Sequence, residues 1–159
     1  MIGVSELRTE LEREHHEIDD AFEVLAANDG APAQAAVADT QNGIAVLRRH
    51  IYFEEVSLFP PLRAAGLFGP VTVMLREHAE MWPLLDALAV DLAADGNDAH
   101  RLARELLTLL ADHNGKEETI LYATADSDLP EAQVAALRAD LDATAMPADW
   151  TCTALQPRA

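Results

Sequence analysis

One arrangement occurs twice in this chain, 63 residues apart, and the repetition restricts the fold more than any other feature. His50 and Glu54 stand four residues apart, and so do His113 and Glu117. On an α-helix, positions i and i+4 lie one above the other on one face. Each stretch therefore presents an imidazole beside a carboxylate. The spacing of 63 also separates His15 from His78. Around these, Arg13-Glu14 matches Arg76-Glu77, Leu11 matches Met74, Ile18 matches Met81, and Phe59 matches Tyr122. The chain reads as two copies of one helix hairpin, each carrying His…His-x-x-x-Glu.

Five segments have helical periodicity and none has that of a strand. The first spans about residues 5–28, with Leu7, Leu11, Ile18, Phe22 and Leu25 as an apolar stripe. His15 falls inside this stripe and His16 about 100° away from it. Asn28 to Pro32 break the pattern. A second helix is expected over about 33–59, with Val37, Ile44, Leu47, Ile51 and Leu58 inward alongside His50 and Glu54. Pro60-Pro61 is expected to end it. The third, about 70–94, carries Val71, Met74, His78, Met81, Leu85, Leu88 and Leu92. Pro83 within it predicts a kink or a missing hydrogen bond. After the turn Asp95-Gly96-Asn97-Asp98, a fourth runs over about 99–124, with Leu102, Leu106, Leu109, His113, Glu117 and Ile120 on one face. A shorter helix, about 131–143, is expected to pack on the outside. The tail from Met146 to Ala159 has no periodicity, and Trp150 is the residue that could pin it.

Four long helices with short connections predict an all-α, up-down-up-down four-helix bundle with a short additional C-terminal helix. Residues 1–125 would form the bundle, and residues 126–159 a helix and tail packed on the same domain. His78 and His113 are equidistant from the turn at Asp95–Gly96, and His15 and His50 from the connection at Pro32–Ala33. Residues equidistant from an antiparallel turn lie at one height. All six groups can therefore meet at one level inside the bundle.

Composition narrows the function. The chain has 28 acidic and 11 basic residues, a net charge of -17. Phosphate backbones and anionic membranes are recognised by basic faces, so neither is an expected partner. Acidic excess attracts cations. The single cysteine, Cys152, excludes an internal disulfide and a Cys-rich metal site. No basic-then-apolar leader opens the sequence and no apolar run approaches ~20 residues, so a cytoplasmic location is expected.

Four imidazoles and two carboxylates on apolar faces require pairing or a metal. Imidazole with carboxylate suits iron or another first-row transition metal. A symmetric division gives each of two metals two histidines and one oxygen from each glutamate. One bridging oxygen species makes each five-coordinate and leaves a free position for a small ligand. The expected metal ligands are His15, His50, Glu54, His78, His113 and Glu117. Glu55 and Glu118 lie about 100° from the ligand carboxylates and are expected as outer partners of the ligands or as solvated residues. Asp19 has the same two readings. His16 and His100 are expected at the surface; Tyr52, Phe53 and Trp82 in packing or lining a ligand pocket; and Cys152 as a tail thiol.

At these residues the sequence resembles the hemerythrin-like HHE cation-binding domain family. The resemblance rests on Glu14-His15-His16-Glu17-Ile18, on His50 to Glu55 running to Leu58-Phe59-Pro60, on Glu77-His78, and on His113 to Glu118. It covers roughly residues 5–124. It implies a non-haem di-iron centre of two iron ions in a four-helix bundle. It also implies a protein that binds or reacts with dioxygen, peroxide or nitric oxide in oxidative or nitrosative stress response, with an electron donor or protein partner. An iron- or oxygen-sensing module acting through a partner protein is the alternative. The chain departs from the family's oxygen carriers, which place two histidines four apart on the third helix. Here Met74 and Trp82 flank His78 at those distances. Those carriers also end the final motif in aspartate at a longer spacing, where this chain has Glu117.

Overall fold

Apolar periodicity becomes helix throughout the residues that the computed structural model describes, 3–158, and no strand forms among them. Ala159, at the end of the expected tail, lies outside them. Helix α1 (Glu6–Ala26) starts at Ser5, whose Oγ accepts the Arg8 backbone N–H at 3.1 Å, a serine N-cap. Helix α2 (Gln34–Phe53) passes through a π-helical turn (Glu54–Leu58) into α3 (Phe59–Ala64). Helix α4 (Phe68–Ala93) follows. Helix α5 (Ala99–Lys116) passes through a second π-helical turn (Glu117–Leu121) into α6 (Tyr122–Asp128). Helix α7 (Glu131–Ala143) and a single 3-10 turn (Thr153–Leu155) complete the chain.

The packing is a helical bundle in which α1 lies against α2 and α5, and α4 against α5 and α2. Helix α2 doubles back along α1: Thr40 donates its hydroxyl to the Ala21 carbonyl at 3.1 Å, while Glu14 meets Arg49 and His50. The two connections sit at the same end. Gly96 has φ +67°, which suits glycine, and a Cβ there would lie 2.9 Å from the Pro32 ring. The apolar side chains divide into two clusters. One contains Ile18, Phe22, Leu47, Ile51, Met81, Leu85, Leu106 and Leu110. The other contains Leu7, Leu11, Phe53, Leu58, Phe59, Met74, Leu121 and Tyr122. Along each long helix the expected ligand residues stand at the passage from one cluster to the other.

Two expectations are corrected by the π turns. Pro60-Pro61 does not end the second helix, which continues to Ala64. The two prolines occupy the first turn after the π segment, where a missing N–H costs little. Ile120 was expected inward, yet it is 41% exposed, while Leu121 is fully buried. In a π turn the hydrogen bond spans five residues. The Phe59 N–H donates to the Glu54 carbonyl, and the Tyr122 N–H to the Glu117 carbonyl. The additional residue advances everything after it by about 100° relative to an α-helix. Phe59 and Tyr122 thereby come to lie over the two glutamates. Pro83, by contrast, is exposed and α4 runs through it.

The tail is held. Trp150 stands edge-on to Tyr52 and Trp82, with ring centroids 5.0 and 5.4 Å apart, and Cys152 is fully buried. Helix α7 packs against α1.

Gly43 sets how closely α1 and α2 approach, since an added Cβ would fall 2.5 Å from the Ala21 Cβ. Alanine in a helix interior gains ~1 kcal/mol over glycine, whereas overpacking costs ~1–3 kcal/mol. At this distance both atoms are fixed by helical backbone, so the clash wins. Gly43→Ala is expected to lower the thermal midpoint, measured by circular dichroism; an unchanged or raised midpoint would show that the helices can separate freely.

Candidate metal centre

The six expected residues come together between the two apolar clusters. His78, Glu54 and Glu117 are fully buried, and His15, His50 and His113 nearly so. Donor atoms of Glu54, His78, His113 and Glu117 lie within 4.8 Å of one another, and those of His15, His50 and Glu117 form a second such group. Glu117 belongs to both. Its Oε2 lies 3.2 Å from His15 Nε2, and its Oε1 lies 2.9 Å from His113 Nε2. Glu54 Oε1 stands between the halves, 3.3 Å from His50 Nε2 and 3.6 Å from His78 Nε2.

Each histidine is held from behind by a further carboxylate. His50 Nδ1–H donates to Glu14 Oε2 at 2.7 Å, and His113 Nδ1–H to Glu77 Oε2 at 2.8 Å. His78 Nδ1–H donates to Glu55 Oε1 at 2.8 Å, and His15 Nδ1–H to Glu118 Oε1 at 2.9 Å. An ionised carboxylate only accepts, so the proton must sit on Nδ1 and all four Nε2 atoms face the centre. The orientation follows the repeat. Glu14 and Glu77, each just before a histidine, hold the second histidine of their own hairpin. Glu55 and Glu118, each just after a central glutamate, reach across to the first histidine of the other hairpin. Of the two readings for Glu55 and Glu118, outer partner is the one the geometry supports. Asp19 makes no such contact; His15 Nδ1 is taken by Glu118. His16 is exposed and His100 partly so.

A third layer fixes the carboxylates. Arg49 Nη1 donates to Glu14 Oε1 at 3.2 Å, and its other nitrogens donate to the carbonyls of Thr144 and Leu141 at the end of α7. Lys116 Nζ donates to Glu77 Oε1. The Thr153 backbone N–H donates to Glu55 Oε2 at 2.7 Å, so the tail closes directly on this carboxylate. Sequence reasoning did not assign Glu14, Glu77, Arg49, Thr153 or Tyr122 to the site. The signal for two of them was present in the doubled Glu-His pair at 14–15 and 77–78. Nothing in the sequence marks Thr153, which acts through its backbone.

The centre has more lone pairs than protons. Glu54 Oε1, His78 Nε2 and Glu117 Oε1 are buried with no hydrogen-bond partner; the 2.9 Å approach of His113 Nε2 to Glu117 Oε1 lacks hydrogen-bond geometry. His15 Nε2 and His50 Nε2 face each other at 3.1 Å. Such an arrangement calls for positive charge. In the metal-free chain, protons supply part of it. Burial alone would keep His15 neutral, but Glu117, Glu54 and Glu118 push it up to about 9. Against burial, Glu117 and Glu77 raise His113, and Glu117, Glu54 and Glu55 hold His78 well above the ordinary imidazole range. Burial opposes ionisation of Glu117, yet His113, His15 and His78 hold it well below the usual carboxylate range. A metal cation meets the same demand at the same atoms and competes with these protons. Histidine nitrogens with carboxylate oxygens are ligands of first-row transition metals, and carboxylate–histidine pairs behind them are the usual support of such a site. The residues present therefore fit a metal.

Removing a carboxylate behind a metal-binding histidine typically costs ~10–100-fold in affinity. Glu55→Ala is expected to weaken binding of a divalent first-row ion by that factor in competition with a chromophoric chelator. Affinity within twofold of the unaltered chain would show that His78 needs no such support.

A family model, the hemerythrin HHE cation-binding domain, matches residues 6–125, from the first residue of α1 into α6. No curated protein matches the chain. No helix among the described residues is long and apolar enough to cross a membrane. With a His/Glu cluster able to hold metal at the heart of the matched stretch, the chain belongs to the hemerythrin HHE cation-binding domain family.

Proposed function

We propose that this protein carries a non-haem di-iron centre that binds or reacts with a small ligand, dioxygen, peroxide or nitric oxide, in oxidative or nitrosative stress response. His15 and His50 would hold one iron and His78 and His113 the other, with Glu54 and Glu117 serving both. The observation that carries this reading is the inward convergence of four Nε2 atoms on two fully buried glutamates. A di-iron centre supplies redox change and an electrophilic position for a small oxidant or nitrogen oxide.

The chain's own residues set the conditions. Glu14, Glu55, Glu77 and Glu118 fix the ring planes and raise imidazole basicity. The two apolar clusters exclude water from both ends of the polar layer, which strengthens electrostatic interactions within it. The burial of every proposed ligand restricts the partner to a molecule of a few atoms and leaves electron delivery to a separate donor. We further propose that the bundle has up-down-up-down order over residues 1–125, with 126–159 as an addition packed on the same domain, and that the protein works in the cytoplasm.

Anaerobic reconstitution with ferrous iron, followed by metal analysis, is expected to give two irons per chain. Glu54→Ala and Glu117→Ala are each expected to lose iron. Stopped-flow absorption with oxygen, peroxide and nitric oxide in turn identifies the ligand. A folded chain that takes up no iron, or full retention in both variants, would show the assignment to be wrong.

A further inference from the structure

Tyr122 breaks the repeat at the centre of the site. Its counterpart 63 residues earlier is Phe59. Both rings follow a central glutamate by five residues, at the exit of a π turn. Phe59 stacks on His78 with ring centroids 5.7 Å apart, and Tyr122 stacks on His15 at 5.6 Å. Only Tyr122 carries an oxygen into the interior. Its Oη lies 2.8 Å from Glu54 Oε2, 3.2 Å from Glu117 Oε2, 3.1 Å from His15 Nε2 and 3.3 Å from His50 Nε2.

One phenol proton cannot serve four neighbours. The shortest contact takes it, to Glu54; a proton on His15 Nε2 can serve one more of these contacts, and at the rest lone pairs still meet. A shared cation accounts for them better than hydrogen bonding does. Ligand atoms sit ~2.0–2.2 Å from a first-row metal, so two at right angles to each other are roughly 3 Å apart. His15 Nε2 lies 3.1 Å from His50 Nε2 and 3.2 Å from Glu117 Oε2, and Tyr122 Oη keeps the same spacing from all three. These atoms have the spacing of one coordination sphere. The other half is looser about His78, whose Nε2 is 3.6 Å from Glu54 Oε1 and 3.8 Å from Glu117 Oε1 although His113 Nε2 approaches Glu117 Oε1 to 2.9 Å, and the residue equivalent to Tyr122 offers a hydrocarbon ring.

We propose that Tyr122 Oη is a ligand of the iron held by His15 and His50, so that the position open to an external ligand belongs to the iron held by His78 and His113. The inference rests on the di-iron reading above. As the oxygen–iron bond forms, the phenol O–H bond breaks and its proton passes to the buffer; no electron is transferred. The near two-fold pattern of the histidines and glutamates thus contains two irons with different coordination.

The test is resonance Raman and visible absorption spectroscopy of the full chain loaded with iron and oxidised to the ferric state. A phenolate-to-iron charge-transfer band is expected, with enhanced phenolate ring modes that shift when ring-deuterated tyrosine is incorporated. Tyr122→Phe is expected to abolish these modes while keeping two irons per chain. The chain has only two tyrosines. If Tyr122→Phe does not fold, the modes must therefore persist in Tyr52→Phe, whose only phenol is Tyr122. Two bound irons without phenolate modes would overturn this assignment and leave the di-iron centre standing, as would modes that survive in Tyr122→Phe. A chain that binds no iron overturns both.

Discussion

A layer of ionisable side chains lies buried between two apolar clusters, and this one arrangement governs the rest of the structure. Isolated charges in such a place are prohibitive, and unpaired polar atoms cost several kcal/mol. The layer is tolerable only because its members are complementary: carboxylates behind the imidazoles, imidazoles around the central glutamates, and positive charge at the centre. The helices serve this layer. Their apolar stripes close above and below it, and their connections place each histidine at the same height. Gly43, about two turns from His50, lets α1 and α2 approach closely.

The two π turns show how local backbone and site chemistry are joined. A regular helix would have placed Leu58 and Leu121 above the central glutamates. The five-residue bond places Phe59 and Tyr122 there instead. A single-turn π segment within an α-helix is uncommon and is found mostly at functional sites. Here the same irregularity occurs at matching positions in both halves of the repeat, although only the first is followed by prolines. Proline is therefore not its cause, and the shared feature is the fully buried glutamate that opens each turn.

Much of this was legible in the sequence, and the parts that were not have physical reasons. Spacings of three, four and seven among apolar residues identified the helices, and the 63-residue repeat identified which histidines point inward. His15 was separable from His16 because only one of them falls in the stripe. Periodicity assumes 3.6 residues per turn, so it carried Ile120 into the core and missed the shift that exposes it. The role of Glu14 and Glu77 was obscured because an acidic residue beside a histidine on a helix surface is common in a chain this acidic. The tail's contact with Glu55 comes from a backbone amide, which no side-chain pattern records.

The exchange of carboxylates between the two hairpins has a symmetry of its own. Position 15 meets position 118, and their repeat-mates, 78 and 55, meet in the same way. Contacts in which i touches j and the equivalent of j touches the equivalent of i are the signature of an isologous interface, the kind that joins two identical subunits about a two-fold axis. In this chain the relation is internal. Each hairpin completes the other's histidines as one subunit of a dimer completes its mate, and a covalent link takes the place of the association equilibrium.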